Sequence, residues 1–229
     1  SGRFADVYNP ATGELQAKVA LATPAELDHA IQDAAKAQLI WAATNPQRRA
    51  RVMMAFGALI NRDMDKLAEM VAREHGKTIP DAKGDVQRGL EVVEVCMGAP
   101  AMLKGEAMDS AGPGIDLYAM RQPLGVVAGI TPFNFPAMIP MWKFAPAIAC
   151  GNAFILKPSE RDPGVPMMLA ALMIERLPRY FDADKLAVFD ETGGVGVAFS
   201  QLPFDHLLFT GSSKTGRAVM AAAAKNLCP

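Results

Sequence analysis

The sequence predicts an α/β protein with a doubly wound parallel sheet, preceded by an N-terminal helical segment. Beyond about residue 105, short apolar runs typical of buried strands alternate with longer runs typical of helices. Strands are predicted at 126–130, 153–156, 186–189 and 206–210, and helices near 137–149, 163–176, 193–200 and 213–225. Because these strands are continuously apolar rather than alternating, helices are expected on both faces of the sheet.

The segment before residue 105 carries start and stop signals for four helices. The stretch Thr-Pro-Ala-Glu at 23–26 is a capping box, which predicts a helix to about residue 43. The pair Asn-Pro at 45–46 opens a second helix. A third is predicted between Asp63, as its cap, and Gly76, which ends it, and a fourth runs over about 81–97.

Composition narrows the functional classes. The 229 residues are 51% apolar with a net charge of −1, so there is no overall electrostatic case for binding nucleic acid or an anionic membrane. Cys96, Cys150 and Cys228 lie far apart without metal-ligand spacing, so neither a disulfide framework nor a metal site is expected. A reduced setting, cytoplasmic or in an organellar matrix, is therefore expected. No membrane span or signal peptide is evident in the sequence.

Unusual polar residues follow the predicted strands, where ligands bind in open α/β sheets. Asn134 follows the first strand and stands between Pro132 and Pro136, which fix the backbone on both sides. Lys157 and Glu160 follow the second strand. The fourth strand ends in the glycine-flanked turn 211–216. These three places are expected to converge.

The pair Lys157 and Glu160 fits a ribose. A carboxylate can accept hydrogen bonds from both ribose hydroxyls, and it would repel a 2′-phosphate, so NAD is favoured over NADP. The alternative is that both residues are ordinary exposed charges after a strand.

The turn 211–216 leads into a helix whose free N–H groups can receive a phosphate, and Ser212 offers a hydroxyl. The alternative is a common N-cap. A nucleotide triphosphatase loop is disfavoured, because Arg217 and Ala218, rather than Lys and Ser or Thr, follow Gly216.

Together these stretches resemble the aldehyde dehydrogenase superfamily. TPFNFP is similar to its motif around the oxyanion-hole asparagine, ILKPSE to its adenosine-ribose motif and FTGSSKTG to its pyrophosphate helix. Up to about residue 175 the chain most resembles methylmalonate-semialdehyde dehydrogenases, through NPQRRARV, EHGKT and RGLEVVEVC. From about 176 to 229 it looks more like coniferyl-type aldehyde dehydrogenases.

The resemblance implies a Rossmann-like NAD-binding domain over 1–229, with a mainly helical part at 1–105 and a nucleotide-binding part at 106–229. It implies that Asn134 donates to the oxyanion, a preorganised role worth roughly 3 kcal/mol. The residues expected at the cofactor are Thr131, Pro132, Phe133, Lys157, Ser159, Glu160, Gly211, Ser212 and Gly216. Arg88 is expected to recognise a substrate carboxylate, and the alternative is a solvated helix-face arginine.

The family's catalytic cysteine and glutamate match positions beyond residue 229, and the three cysteines present are interpreted as packing residues. The resemblance implies NAD-dependent oxidation of a small carboxylated semialdehyde through a thiohemiacetal and a thioester. Coenzyme A or water would accept the acyl group, and a homodimer or homotetramer would form. The alternatives are an aromatic aldehyde as substrate, or a catalytically silent module that only binds NAD.

Overall fold

The computed structural model describes residues 2–176 and 199–229. Its helices and strands, in chain order, are β1 (Phe4–Tyr8), β2 (Leu15–Ala20), α1 (Pro24–Ala43), α2 (Pro46–Arg62), α3 (Met64–His75), α4 (Ile79–Met97), α5 (Ala99–Met102), β3 (Glu106–Gly112), β4 (Ile115–Ala119), β5 (Val126–Ile130), α6 (Met138–Ala149), β6 (Ala153–Lys157), α7 (Gly164–Arg176), β7 (His206–Phe209) and α8 (Ser213–Ala223). The predicted strand at 186–189 and most of the predicted helix at 193–200 lie outside the described residues.

The parallel sheet confirms the predicted fold class. Its described strands lie in the order β6-β5-β7, with β5 fully buried in the middle. Ile130 pairs with Lys157 on one side and with Phe209 on the other. The carboxyl ends of the three strands are therefore level, and the helices α6, α7 and α8 each follow one of these ends along the chain.

The four predicted N-terminal helices are present, and most of their caps are the predicted ones. Thr23 and Glu26 form the capping box of α1, and Gly76 ends α3 with a φ of 85°. Two details differ from the prediction. The helix α4 begins at Ile79, because the Thr78 hydroxyl accepts from the Asp81 N–H and caps it earlier. Asp63 makes no side-chain cap, because its carboxylate instead binds Arg62 and Lys66.

Two antiparallel hairpins were not predicted. The first 20 residues, expected to belong to a helical segment, pair as β1 with β2, and β3 pairs with β4 after the helices. Val7 and Val19 are the buried strand residues of the first hairpin, and all of β4 is exposed. The β2 sequence LQAKVA does alternate between apolar and polar residues, but the run is short and its hairpin partner β1 does not repeat the pattern, so the signal is weak.

The main apolar core lies between the helical layer and the sheet. It joins α2, α3 and α4 to α6 and α7, and the largest of its fully buried side chains include Phe56, Met53, Ile60, Leu67 and Met141. A second cluster packs α1 and α8 around the sheet strands. Helices thus cover the sheet on both faces, as the continuously apolar strands require.

The amino ends of the strands are fixed by side chains at the opposite edge of the sheet. The Asp205 carboxylate accepts from the Val126 N–H at 2.7 Å, and the Asn152 side-chain oxygen accepts from the Gly125 N–H at 3.0 Å. Among residues 2–176 and 199–229, no helix has both the length and the apolarity needed to cross a membrane.

Candidate functional site

The three predicted site loops meet at one edge of the sheet. Beyond the last residues of the ladder, the Thr131 N–H donates to the Lys157 carbonyl at 3.1 Å, and the Thr210 N–H donates to the Ile130 carbonyl at 3.1 Å. These bonds extend the parallel pairing into the loops that leave β5 and β7. The loops that carry Asn134, Lys157 and Ser212 therefore leave the sheet at the same level, as the predicted convergence requires.

Asn134 lies exposed in the loop between β5 and α6. Its backbone carbonyl accepts a 2.8 Å hydrogen bond from the Lys77 ammonium, and the same ammonium lies 4.0 Å from the centre of the Phe135 ring. Pro132 and Pro136 flank the residue as the sequence indicated. The loop backbone is held by Lys77 while the Asn134 side chain is exposed, as a preorganised hydrogen-bond donor requires.

Asp85 links this loop to the helical layer. Its carboxylate is fully buried, and one oxygen accepts from the Lys77 ammonium at 3.0 Å. The other oxygen accepts from the N–H of Met138, the first residue of α6, at 2.9 Å. A negative charge at the N-terminus of α6 also interacts favourably with the helix dipole.

Phe133 connects the Asn134 loop with the loop after β6. Its ring stacks on His75 at 6.4 Å between ring centres, and the Arg161 guanidinium carbon lies 4.9 Å from the centre of the same ring. Phe133 is nevertheless partly exposed. The Phe133 ring thus lies between His75 at the end of α3 and Arg161 in the loop after β6. The Asn134 loop contacts both through this one ring.

Lys157 and Glu160 lie side by side after β6. The Lys157 ammonium is buried and lies 3.9 Å from a Glu160 carboxylate oxygen, whereas the Glu160 side chain is a quarter exposed. Ser159 is buried, and its hydroxyl accepts from the Arg161 N–H at 3.1 Å, so this hydroxyl shapes the turn. The pair presents an ammonium donor and carboxylate acceptors together, which is the set that a ribose diol can use.

The turn 211–216 forms the N-terminus of α8. Ser212 is its N-cap, and the hydroxyl accepts from the Thr215 N–H at 3.2 Å. A β-carbon on Gly211 would lie 2.6 Å from the Phe209 ring, and one on Gly216 would lie 3.2 Å from it. Glycine lets the turn lie directly on this ring, and no acidic side chain is present in the first turn of α8 to repel an anion.

Arg88 lies exposed on α4. Its backbone carbonyl accepts a 3.2 Å bond from the indole N–H of Trp142 on α6. It is one helical turn beyond Asp85, so it shares the side of α4 that meets α6. The structure places Arg88 beside the helix that follows Asn134, and its role stays a prediction.

The three cysteines lie away from this edge. Cys96 is in the last turn of α4 and Cys150 caps the C-terminus of α6, while Cys228 packs in the second core cluster. Burial raises the pKa of each thiol, that of Cys96 to about 11. Protonated thiols are poor nucleophiles. Over the described ranges, no group of three or more histidine, cysteine, aspartate or glutamate residues could hold a metal ion.

Two carboxyl groups, the partly buried Glu74 and the buried Asp162, lie near the start of α7. Glu74 accepts from the N–H of Gly164, the first residue of α7, at 2.8 Å, and burial raises its pKa. Burial also raises the pKa of Asp162 to about 8, with the negative charges of Glu74 and Asp85 adding to the effect. In the part of the chain described, neither Asp162 carboxyl oxygen has a hydrogen-bond partner. The Asp162 carboxyl is therefore protonated through most of the neutral range.

Sequence analysis missed Glu74, Lys77, Asp85 and Asp162. Asp85 offered one signal, since an acid stands among buried apolar positions of α4, next to Val86. A charged residue on the buried face of a helix needs a partner. The neighbouring sequence gives no indication of these partners. Lys77 bonds to a residue 57 positions further along the chain, and Asp85 to one 53 positions further along.

Replacing the Asp162 carboxyl should change how stability depends on pH. The folded-state pKa of about 8 lies above the ordinary 3.8, so unfolding releases a proton between these values and stability falls as pH rises from about 4 to about 8. Asp162→Asn removes this titration. From pH 5 to pH 8 the parent should lose about 3 to 4 kcal/mol of stability relative to the variant. The Tm of the variant relative to the parent should therefore rise by roughly 10 °C, at about 2–4 °C per kcal/mol. Calorimetry of parent, variant and an exposed Asp28→Asn control measures this, and a constant Tm difference between parent and Asp162→Asn would contradict it.

The model of the aldehyde dehydrogenase family matches residues 1–229. The chain is 50% identical over 175 residues to the malonate-semialdehyde dehydrogenase of Pseudomonas aeruginosa, covering 76% of this chain and 35% of the relative. It is 47% identical over 173 residues to the human mitochondrial methylmalonate-semialdehyde/malonate-semialdehyde dehydrogenase [acylating], covering 76% and 32%.

A solved structure agrees over the whole chain. A candidate methylmalonate-semialdehyde dehydrogenase from Sinorhizobium meliloti, complexed with NAD, superposes with a TM-score of 0.92 at 57% identity, covering 100% of this chain and 46% of that one. The chain thus spans about a third to a half of the length of these relatives. The likeness of residues 176–229 to coniferyl-type enzymes stays a prediction. The match over all 229 residues and these identities show that the chain belongs to the aldehyde dehydrogenase family.

Proposed function

We propose that this chain binds NAD and forms the cofactor-binding part of a dehydrogenase that oxidises a small carboxylated semialdehyde, such as malonate or methylmalonate semialdehyde. The observation that carries this proposal is the level register of β6, β5 and β7. It puts the Asn134 loop, the Lys157–Glu160 pair and the N-terminus of α8 at one edge of the sheet. The proposed domain is the whole range 1–229, with a mainly helical part at 1–105 and a nucleotide-binding part at 106–229.

The adenosine half of the cofactor would use the loop after β6 and the start of α8. Glu160 would accept from the two ribose hydroxyls, and Lys157 would donate to one of them. The pyrophosphate would meet the N-terminal N–H groups of α8, where Gly211 and Gly216 allow a close approach and Ser212 supplies a hydroxyl. NAD, when bound, supplies the hydride acceptor for aldehyde oxidation.

The nicotinamide half would lie toward Thr131, Pro132 and Phe133, which leave the end of β5. The Thr131 hydroxyl is buried and has no partner among the described residues, so a polar ligand group could use it. Asn134 follows in the same loop and would donate its amide to the oxyanion that forms on the aldehyde carbon. The Asn134 loop is therefore the proposed meeting point of cofactor and substrate.

The substrate class follows from Arg88 and from the relatives. A guanidinium recognises a carboxylate with two parallel hydrogen bonds, and Arg88 lies exposed on α4 beside α6. The relatives are named for malonate and methylmalonate semialdehyde, both of which carry a carboxylate. An aromatic aldehyde is the alternative substrate that the likeness of residues 176–229 leaves open.

The human relative is described as acylating and mitochondrial, and on that ground we propose coenzyme A as the acyl acceptor, with water as the alternative. Assembly as a homodimer or homotetramer and a cytoplasmic location are also proposals.

A module that binds NAD without redox chemistry is the second candidate. It is favoured by the three cysteines, whose thiols are packed away from the site with raised pKa values.

The cofactor proposal predicts a preference for NAD over NADP that depends on Glu160. Glu160→Gln removes the charge that would repel a 2′-phosphate and weakens the acceptor for the ribose hydroxyls. We expect NAD affinity to fall by about tenfold and the preference for NAD to shrink. Calorimetric titration of parent, Glu160→Gln and the exposed control Glu106→Gln with both cofactors measures it. Equal affinities of the parent for NAD and NADP would contradict the role of Glu160.

The catalytic proposal predicts a rate effect at Asn134 without a binding effect. In a dehydrogenase that contains this chain, Asn134→Ala removes the oxyanion donor and leaves Lys157, Glu160 and Ser212 in place. Single-turnover NADH formation should slow by about 10² to 10³, because one oxyanion donor is worth that much in rate. The NAD affinity and the Tm of the Asn134→Ala variant should equal those of the parent. A rate within a few-fold of the parent, or a loss of rate matched by loss of folded protein, would refute the role.

A further inference from the structure

One short segment of the helical layer contacts both loops of the proposed site. We define the clamp segment as residues 74–85, from the end of α3 to the second turn of α4. Its Glu74 carboxylate accepts from the first N–H of α7, and its Asp85 carboxylate accepts from the first N–H of α6. Between them, Lys77 donates to the Asn134 carbonyl. The two helices that follow β5 and β6 thus begin on carboxylates of this segment.

The charges of the clamp segment are buried to a degree that stability alone does not explain. The Lys77 side chain is 14% exposed and the Asp85 carboxylate 0%, at a distance of 3.0 Å. Removing such a pair from water costs about as much as its mutual attraction returns, so a buried ion pair is weak evidence for stability. The pair does fix geometry, because its remaining hydrogen bonds go to the Asn134 carbonyl and the Met138 N–H.

Lys77 is placed to orient Asn134 in particular. The ammonium contacts the carbonyl of Asn134 at 2.8 Å and lies over the ring of Phe135, the next residue. A bond to the Asn134 carbonyl fixes the peptide plane on one side of the residue, and the contact with Phe135 resists rotation of that plane. The backbone of Asn134 is thereby held on its carbonyl side.

We propose that Lys77 and Asp85 are positioning residues for the oxyanion donor. They hold the backbone of Asn134 so that its amide faces the reacting carbonyl, without themselves touching cofactor or substrate. This inference rests on the proposed role of Asn134. It predicts that losing the Lys77 bond loosens the Asn134 loop and slows the reaction through Asn134, while the cofactor contacts of Lys157, Glu160 and Ser212 are unaffected.

The test must remove the Lys77 bond without leaving the Asp85 carboxylate buried and unpaired. Asp85→Asn neutralises the carboxylate, and its amide oxygen still accepts from the Met138 N–H. The comparison is therefore between Asp85→Asn and the double variant Lys77→Met/Asp85→Asn, which differ only at Lys77. In hydrogen exchange, amides of residues 133–138 should exchange about tenfold faster in the double variant, with α8 unchanged. Lys77→Arg/Asp85→Asn, which keeps a donor, should restore slow exchange.

Equal loop exchange in the two variants, or faster exchange spread over α3 and α4, would overturn the positioning role. A second measurement uses a dehydrogenase that contains this chain. There the Lys77 change should slow single-turnover NADH formation with NAD affinity unchanged, and it should add nothing once Asn134 is alanine. Additive losses of rate would overturn the inference. The exchange measurement needs no cofactor, so it tests the Lys77 contact independently of NAD binding. A parent chain that fails to bind NAD would contradict the proposed function only.

Discussion

The parallel pairing of β5 with β6 and with β7 is the constraint on which the site depends. Ile130 pairs with Lys157 and with Phe209, so three loops from distant parts of the chain leave the sheet at the same level. A shift of two residues in either ladder would move its loop by about 7 Å, since a strand rises roughly 3.3 Å per residue. The Lys157–Glu160 pair, the α8 turn and Asn134 could not then contact one extended ligand.

The helical layer adds a second constraint, made of buried polar contacts. Glu74 and Asp85 receive the first N–H groups of α7 and α6, and Lys77 holds the Asn134 carbonyl. Asp162 lies near these charges, and burial together with the neighbouring carboxylates raises its pKa to about 8. The sheet thus sets where the loops begin, and the buried charges set how their backbones leave it.

The sequence predicted the parts whose signals are local. Apolar β5 was predicted with the bounds observed, and the capping residues Thr23 and Asn45 gave the starts of α1 and α2. The two hairpins were missed because their strands are short and largely exposed, so they bury few of the apolar residues that mark a strand. Asn134, Lys157, Glu160 and Ser212 were proposed as site residues because they follow strand ends, where α/β sheets bind ligands, and their roles stay predictions. Lys77 and Asp85 were missed because their partners are distant in sequence and adjacent only after folding.

The most direct test of the account is a hydrogen-exchange footprint of the chain with and without saturating NAD. If the three strand ends form one cofactor site, exchange should slow together in residues 131–136, 157–160 and 211–216, while the exposed β3–β4 hairpin at 106–119 stays unchanged. Protection confined to one of these segments, or none in any of them, would contradict a single NAD site built by the level register of β6, β5 and β7.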